Sequence, residues 1–165
     1  MFKKGELVIY PGHGAGKIKK TFKQKFNDEM KKYYKIAFFD ADIELSLPVE
    51  NAEHLGLRKP TTKKDLKTML KSINKKTRYT KKIEDGLQDK MKKAIHNGET
   101  DLIIKNLKRL KTVRKKRKKE GKSFKTTNSR LISRAIEFLK SEVSLVLGDK
   151  YVERFDLNQE SALYG

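Results

Sequence analysis

Neither cysteine nor tryptophan occurs among the 165 residues, and there are only three prolines and three histidines. Without cysteine there is no disulfide framework, no thiol nucleophile and no cysteine-based zinc site, an absence that suits a reducing compartment. His13, His54 and His96 are scattered and lack the spacing of a metal site, so no metal or other cofactor is expected. Long apolar runs are missing too. No window approaches the roughly 20 apolar residues that span a bilayer. The opening MFKKGELVIYPG lacks the apolar stretch of a secretory signal. A soluble, cytoplasmic chain with no membrane partner is the expectation.

Acidic residues are also scarce. Lys and Arg number 41 against 21 Asp and Glu, a formal charge of +20. The excess is uneven: residues 1–58 carry 11 basic and 8 acidic side chains, whereas residues 59–165 carry 30 and 13. A generally lysine-rich proteome would raise both parts alike. The asymmetry instead predicts two parts with different tasks, one of them facing a polyanion.

The hydrophobic period changes at the same place. ELVIY, GKIKKTFK, KKYYKIAFF and DIELSLPV are short, alternating or β-branched and aromatic runs. Asn27-Asp28 and residues 40–42 supply turns between them. Four or five strands in under 60 residues predict a small, strongly bent Tudor- or SH3-like β-barrel. Beyond Pro60 the spacing becomes helical. Leu66, Met69, Leu70 and Ile73 follow a Thr62/Asp65 capping pattern. Leu87, Met91, Ala94 and Ile95 stop at Asn97-Gly98, and Ile103 to Val113 mark a third stripe. A fourth helix runs from Leu131 to Leu147, and a short fifth lies around residues 151–157. RKKRKKEGKSFKTTNS is read as the low-complexity link between helices three and four. The fold class is therefore α+β, a small barrel followed by a compact basic domain of four to five helices. The expected parts are 1–58, a linker at 59–64, and 65–165.

LVIYPGHGAGKI is the densest glycine motif and the best candidate for chemistry. A phosphate-binding P-loop needs a leading glycine five residues before Gly16 and a hydroxyl after Lys17; Pro11 and Ile18 stand there. Both registers of the dinucleotide fingerprint end on lysine, and no helix follows. A tight turn remains, with glycines free to take positive φ. No serine-histidine-acid set or nucleophile elbow can be assembled either, so no enzyme is expected.

FKKGELVIYPGHGAGKI followed by LPVENAEHLGLR resembles the amino-terminal domain of the CarD/CdnL transcription regulators, a domain shared with transcription-repair coupling factor. The match lies on Phe2, Gly5, Val8, Tyr10, Pro11, His13, Gly14 and Gly16, and again on Pro48, Glu50, Asn51, Ala52, Gly56, Leu57 and Arg58. The resemblance implies a Tudor-like domain that binds the β subunit of bacterial RNA polymerase, and a helical domain that touches double-stranded promoter DNA at the upstream edge of the melted region. It implies a monomer without catalytic activity that shifts open-complex lifetime. The polymerase-contacting stretches of the family fall here on Lys25, Asn27, Ile43, Glu44, Leu45 and Ser46. Ser46 is a departure, because the family often carries arginine in that slot. A tryptophan wedge near the start of the second helix is also missing; its slot falls within residues 83–87, where Ile83 or Leu87 could insert as a smaller wedge, although the core reading comes first for both.

Residues 105–125 hold twelve cations against Glu120 alone. Lysine-rich runs are usually solvated, but this imbalance favours phosphate contacts, which position a protein without reading sequence. The expected DNA-contacting set is Leu87, Lys90, Lys93, Arg109, Arg114, Lys115, Lys116, Lys118, Lys119, Lys122, Lys125, Arg130 and Arg134. These cations, spread around a helix end, are not expected to meet one groove together. The competing readings are a nucleoid-associated coating protein without polymerase contact, and an RNA-binding module. The latter has few aromatic side chains for base stacking beyond Tyr79 and Phe124.

Overall fold

The computed structural model describes residues 1–157. Residues 158–165, whose sequence carries no interpretable signal, lie outside them. The chain divides into two compact units, Met1–Pro60 and Thr61–Gly165.

The first unit is a four-stranded antiparallel meander: β1 (Leu7–Tyr10), β2 (Gly14–Phe26), β3 (Glu29–Phe38) and β4 (Glu44–Pro48). It is a curled half-barrel, with β1 and β4 as its edges. The β1 edge is partly covered, since Ile9 exchanges backbone hydrogen bonds with Arg58 at 2.8 and 3.0 Å. The concave face buries Val8, Ile18, Tyr34, Ile36, Phe38 and Leu47, closed by Phe2, Ala52 and Leu57. Buried Tyr34 is a satisfied polar group: the Phe2 backbone N–H donates to its hydroxyl at 2.8 Å.

The glycine motif is the β1–β2 turn. Tyr10 pairs with Gly14, and Gly12 and Gly14 take φ of 77° and 79°. Gly16 serves a different need. A Cβ there would lie 2.7 Å from the Ala37 carbonyl oxygen, so only glycine lets β2 pass this close to β3. His13 stacks on Phe38 with ring centroids 5.0 Å apart, a packing role. Asn27 and Asp28 form a two-residue hairpin turn at φ of 48° and 64°, the left-handed pair that matches strand twist and that Asn and Asp tolerate.

The second unit contains α1 (Lys63–Lys71), α2 (Lys81–Glu84), α3 (Leu87–Asn97), α4 (Thr100–Lys119), α5 (Thr126–Leu147) and α6 (Asp149–Arg154). Among the described residues there are six helices, the expected four to five and the single turn α2. Two boundaries also move. Thr62 caps α1, accepting from Asp65 N at 3.2 Å, so Lys63 and Lys64 are helical rather than linker. The lysine-rich run is not a loose link either: α4 continues to Lys119 and α5 begins at Thr126, leaving residues 120–125 as the connection. Lysine and arginine are good helix formers, and the buried stripe of α4 carries the helix into them. Gly98 ends α3 at φ 66°, with Glu99 N–H reaching Ala94 O at 3.0 Å, a Schellman cap.

The core of this unit lies between α3, α4 and α5, with Met91, Ile103, Leu107, Leu110, Ile136 and Leu139 buried. One carboxylate is buried with them. Glu142 accepts from Thr61 N at 2.8 Å and from Thr100 Oγ1 at 2.6 Å, so hydrogen bonds offset its desolvation.

Candidate nucleic-acid and protein interface

In the first unit the outer strand β4 has β3 on one side and, among the described residues, no strand on the other. Its outward N–H and C=O groups can accept a further strand. Alternation sends Leu45 and Leu47 towards the core, opposite Ile36 and Tyr34, and sends Glu44 and Ser46 to the convex face, opposite Ala37 and Lys35. Ile43, just before the strand, is 49% exposed. Glu44 is pinned by two lysines across the sheet: Lys19 Nζ donates to Oε1, and Lys35 Nζ lies 2.8 Å from Oε2. These bonds, the Lys19 one first, hold its carboxyl at about 2, well below its ordinary 4.5.

The β2–β3 hairpin extends past both edge strands as a two-stranded arm. Its tip exposes Phe26 and Met30, and Lys25 pairs with Asp28 at 2.8 Å. Lys25 faces Met30 while Ser46 faces Lys35, five steps apart on β3, or about 17 Å of strand. Lys25 and Asn27 therefore form one locus and the Ile43 to Ser46 stretch a second.

In the second unit the charge is ordered by α4. Ile103, Leu107, Leu110 and Val113 face inwards. Lys105, Lys108, Arg109, Lys115, Lys116 and Lys119 recur at intervals of three, four or six to seven residues on the opposite side, with Thr112 in the gap. This gives a stripe about 21 Å long. The continuous helix to Lys119 thus aligns six of the twelve cations of residues 105–125 on one face and leaves the other six off it. Lys105, Lys108, Arg109, Lys115, Lys118, Lys119 and Lys125 make no ion pair with a carboxylate among the described residues. Others are engaged. Lys116 and Lys122 bind Glu120 at 2.9 and 3.0 Å, which lowers the Glu120 carboxyl pKa. Arg117 holds Glu84 at 3.1 Å, and Glu84 also accepts from Tyr79 Oη at 3.0 Å. Lys111 is drawn partly inwards, and burial lowers its ammonium pKa.

Residues 2–61 match the family model described as the CarD-like/TRCF RID domain. The first unit matches that domain over nearly its whole length. The whole chain is also similar to the Bacillus subtilis (strain 168) protein named "Putative transcription factor YdeB", 26% identical over 169 aligned positions that take in 94% of this chain and 99% of that protein. The resemblance drawn from the two sequence blocks is thus borne out. The RID domain is of a transcription-related, RNA polymerase-interacting kind.

Outside the RID domain the expected DNA-contacting residues fall into three groups. Arg109, Lys115, Lys116 and Lys119 share the α4 stripe, to which the structure adds Lys105 and Lys108; Arg114 and Lys118 flank it. Lys125, Leu87 and the turn beside Lys90 surround one cavity. Lys93 on α3 and Arg130 and Arg134 on α5 are exposed on other elements, and Lys122 is tied to Glu120. Leu87 is 3% exposed and packs in the core, so in this conformation it is no wedge for a groove. Gln88, Asn128 and Arg117 gather at the same cavity without a sequence signal, because 40 residues separate the first two. Among the described residues no group of three or more His, Cys, Asp or Glu could hold a metal ion, and no helix is long and apolar enough to cross a membrane.

Proposed function

We propose that the protein is a transcription regulator that docks on the β subunit of bacterial RNA polymerase through its RID domain and contacts promoter DNA through its helical unit, modulating the stability of the open complex. The observation that carries the DNA half is the α4 stripe: six cations on one helix face, backed by a buried apolar face, match a phosphate backbone better than a solvated surface. The RID match supports the polymerase half, and the unpaired β4 edge gives it a surface, with Ile43 to Ser46 as one contact and Lys25 and Asn27 at the hairpin tip as another. Ser46 leaves that edge without the arginine anchor common in the family, so strand pairing carries more of the binding.

The test is the half-life of promoter open complexes formed by bacterial RNA polymerase after competitor challenge. The full chain is expected to change that half-life severalfold, and a variant with Lys108, Arg109 and Lys115 all changed to Gln is expected to lose the effect. An unchanged half-life at saturating protein would contradict the reading and favour a DNA-coating role.

A further inference from the structure

A cavity of about 250 Å³ opens in the helical unit between the start of α3 and the facing sides of α4 and α5. Its volume is that of about eight waters at roughly 30 Å³ each, room for a planar ring system. The floor is apolar, made by Leu87, Leu110 and Val113. One wall is an amide pair in which Gln88 Nε2 donates to Asn128 Oδ1 at 2.8 Å, with Asn128 only 8% exposed. Lys125 and Arg117 stand at the rim. Two acids also line it, and both have cationic partners: Glu84 binds Arg117 at 3.1 Å, and Asp89 lies 3.7 Å from Lys92. Gly86, the N-cap of α3, also lines the cavity and has no side chain to cap that helix.

Each feature suits one part of a nucleotide. A base needs an apolar surface for its flat face and amide donors and acceptors for its edge, while its phosphate needs cations. An inorganic anion would leave the floor unused, and an aliphatic side chain would leave the amides and cations unused. We propose that this cavity receives a single unpaired nucleobase of the DNA, with its face on Leu87, Leu110 and Val113, its edge on Gln88 and Asn128, and its phosphate at Lys125 and Arg117. The proposal rests on the DNA-contact reading above and deepens it. Leu87, too buried to wedge into a groove, becomes part of the seat for a base that has left the stack. Since a base already unpaired is the least costly to extrude, the site selects melted or bulged DNA over intact duplex.

The experiment uses the full chain and two hairpin duplexes of one sequence, one fully paired and one carrying a single bulged 2-aminopurine. Affinity is read by anisotropy and base environment by 2-aminopurine emission. The bulged hairpin is expected to bind about tenfold more tightly, the worth of one good base contact, with a change in emission. Gln88→Leu removes the edge contact and Val113→Phe fills the floor. Each should reduce the affinity for the bulge to that for the paired hairpin while leaving paired binding unchanged, with circular dichroism verifying the fold. Equal affinity of the native chain for both hairpins would overturn the cavity proposal and leave the DNA reading standing. Binding to neither hairpin at low salt would remove the DNA reading itself. Competition by a deoxynucleoside monophosphate at the concentrations effective for the bulge would make the ligand a free nucleotide, which also overturns the proposal.

Discussion

At the scale of single residues, the RID domain shows how much depends on a few contacts. Gly16 was legible as part of a turn motif, but its reason was not: the 2.7 Å approach to Ala37 O depends on a strand 21 residues away. Glu44 was legible as a strand residue, whereas its two lysine partners come from the register of β2 and β3. That arrangement has a pH consequence. With its folded pKa depressed to about 2 from an ordinary 4.5, Glu44 contributes stability that is fully present above about 4.5 and lost as pH falls through about 2. Urea unfolding of the native chain and Glu44→Gln should give a gap in midpoint that is constant near neutrality and closes towards pH 2. A gap independent of pH across that window would show that the lysine bonds contribute nothing.

At the scale of elements, strands and helices followed from period, and the misreadings on either side of the α4–α5 connection share one cause. Arg114 to Lys119 and Thr126 to Ser129 are polar enough to read as a link, yet they propagate from helices already nucleated by buried stripes. Local composition does not report that tertiary support. The continuity of α4 matters for function, since it aligns six cations along about 21 Å. Six neutralised phosphates give a slope of log affinity against log salt of about −5. Changing Lys108, Arg109 and Lys115 together to Gln should flatten that slope by about 2.5 to 3 in duplex titrations. Thermal stability should hardly move, because Gln is close to Lys and Arg in helix propensity. An unaltered slope would place the DNA contacts elsewhere, with Lys93, Arg130 and Arg134 next in line.

At the scale of the whole molecule, the sequence already separates two tasks by charge. The RID domain carries a small share of the cationic excess and offers an open strand edge; the helical unit carries most of it and offers the α4 stripe and the cavity. The α+β class and both motif blocks were readable from residue pattern alone. The cavity was not, because Gln88, Arg117 and Asn128 come from three helices and meet only through packing. A chain that joins a module with an open strand edge to a strongly cationic one has the make-up the proposed bridging of a protein and a nucleic acid calls for. The measurement that tests this most directly is a calorimetric titration of the full chain into an amino-terminal lobe fragment of the RNA polymerase β subunit, at physiological and at high salt. The account predicts saturable one-to-one binding that survives high salt, because strand pairing rather than charge carries it. Absence of binding, or binding that vanishes with salt as DNA affinity does, would contradict it.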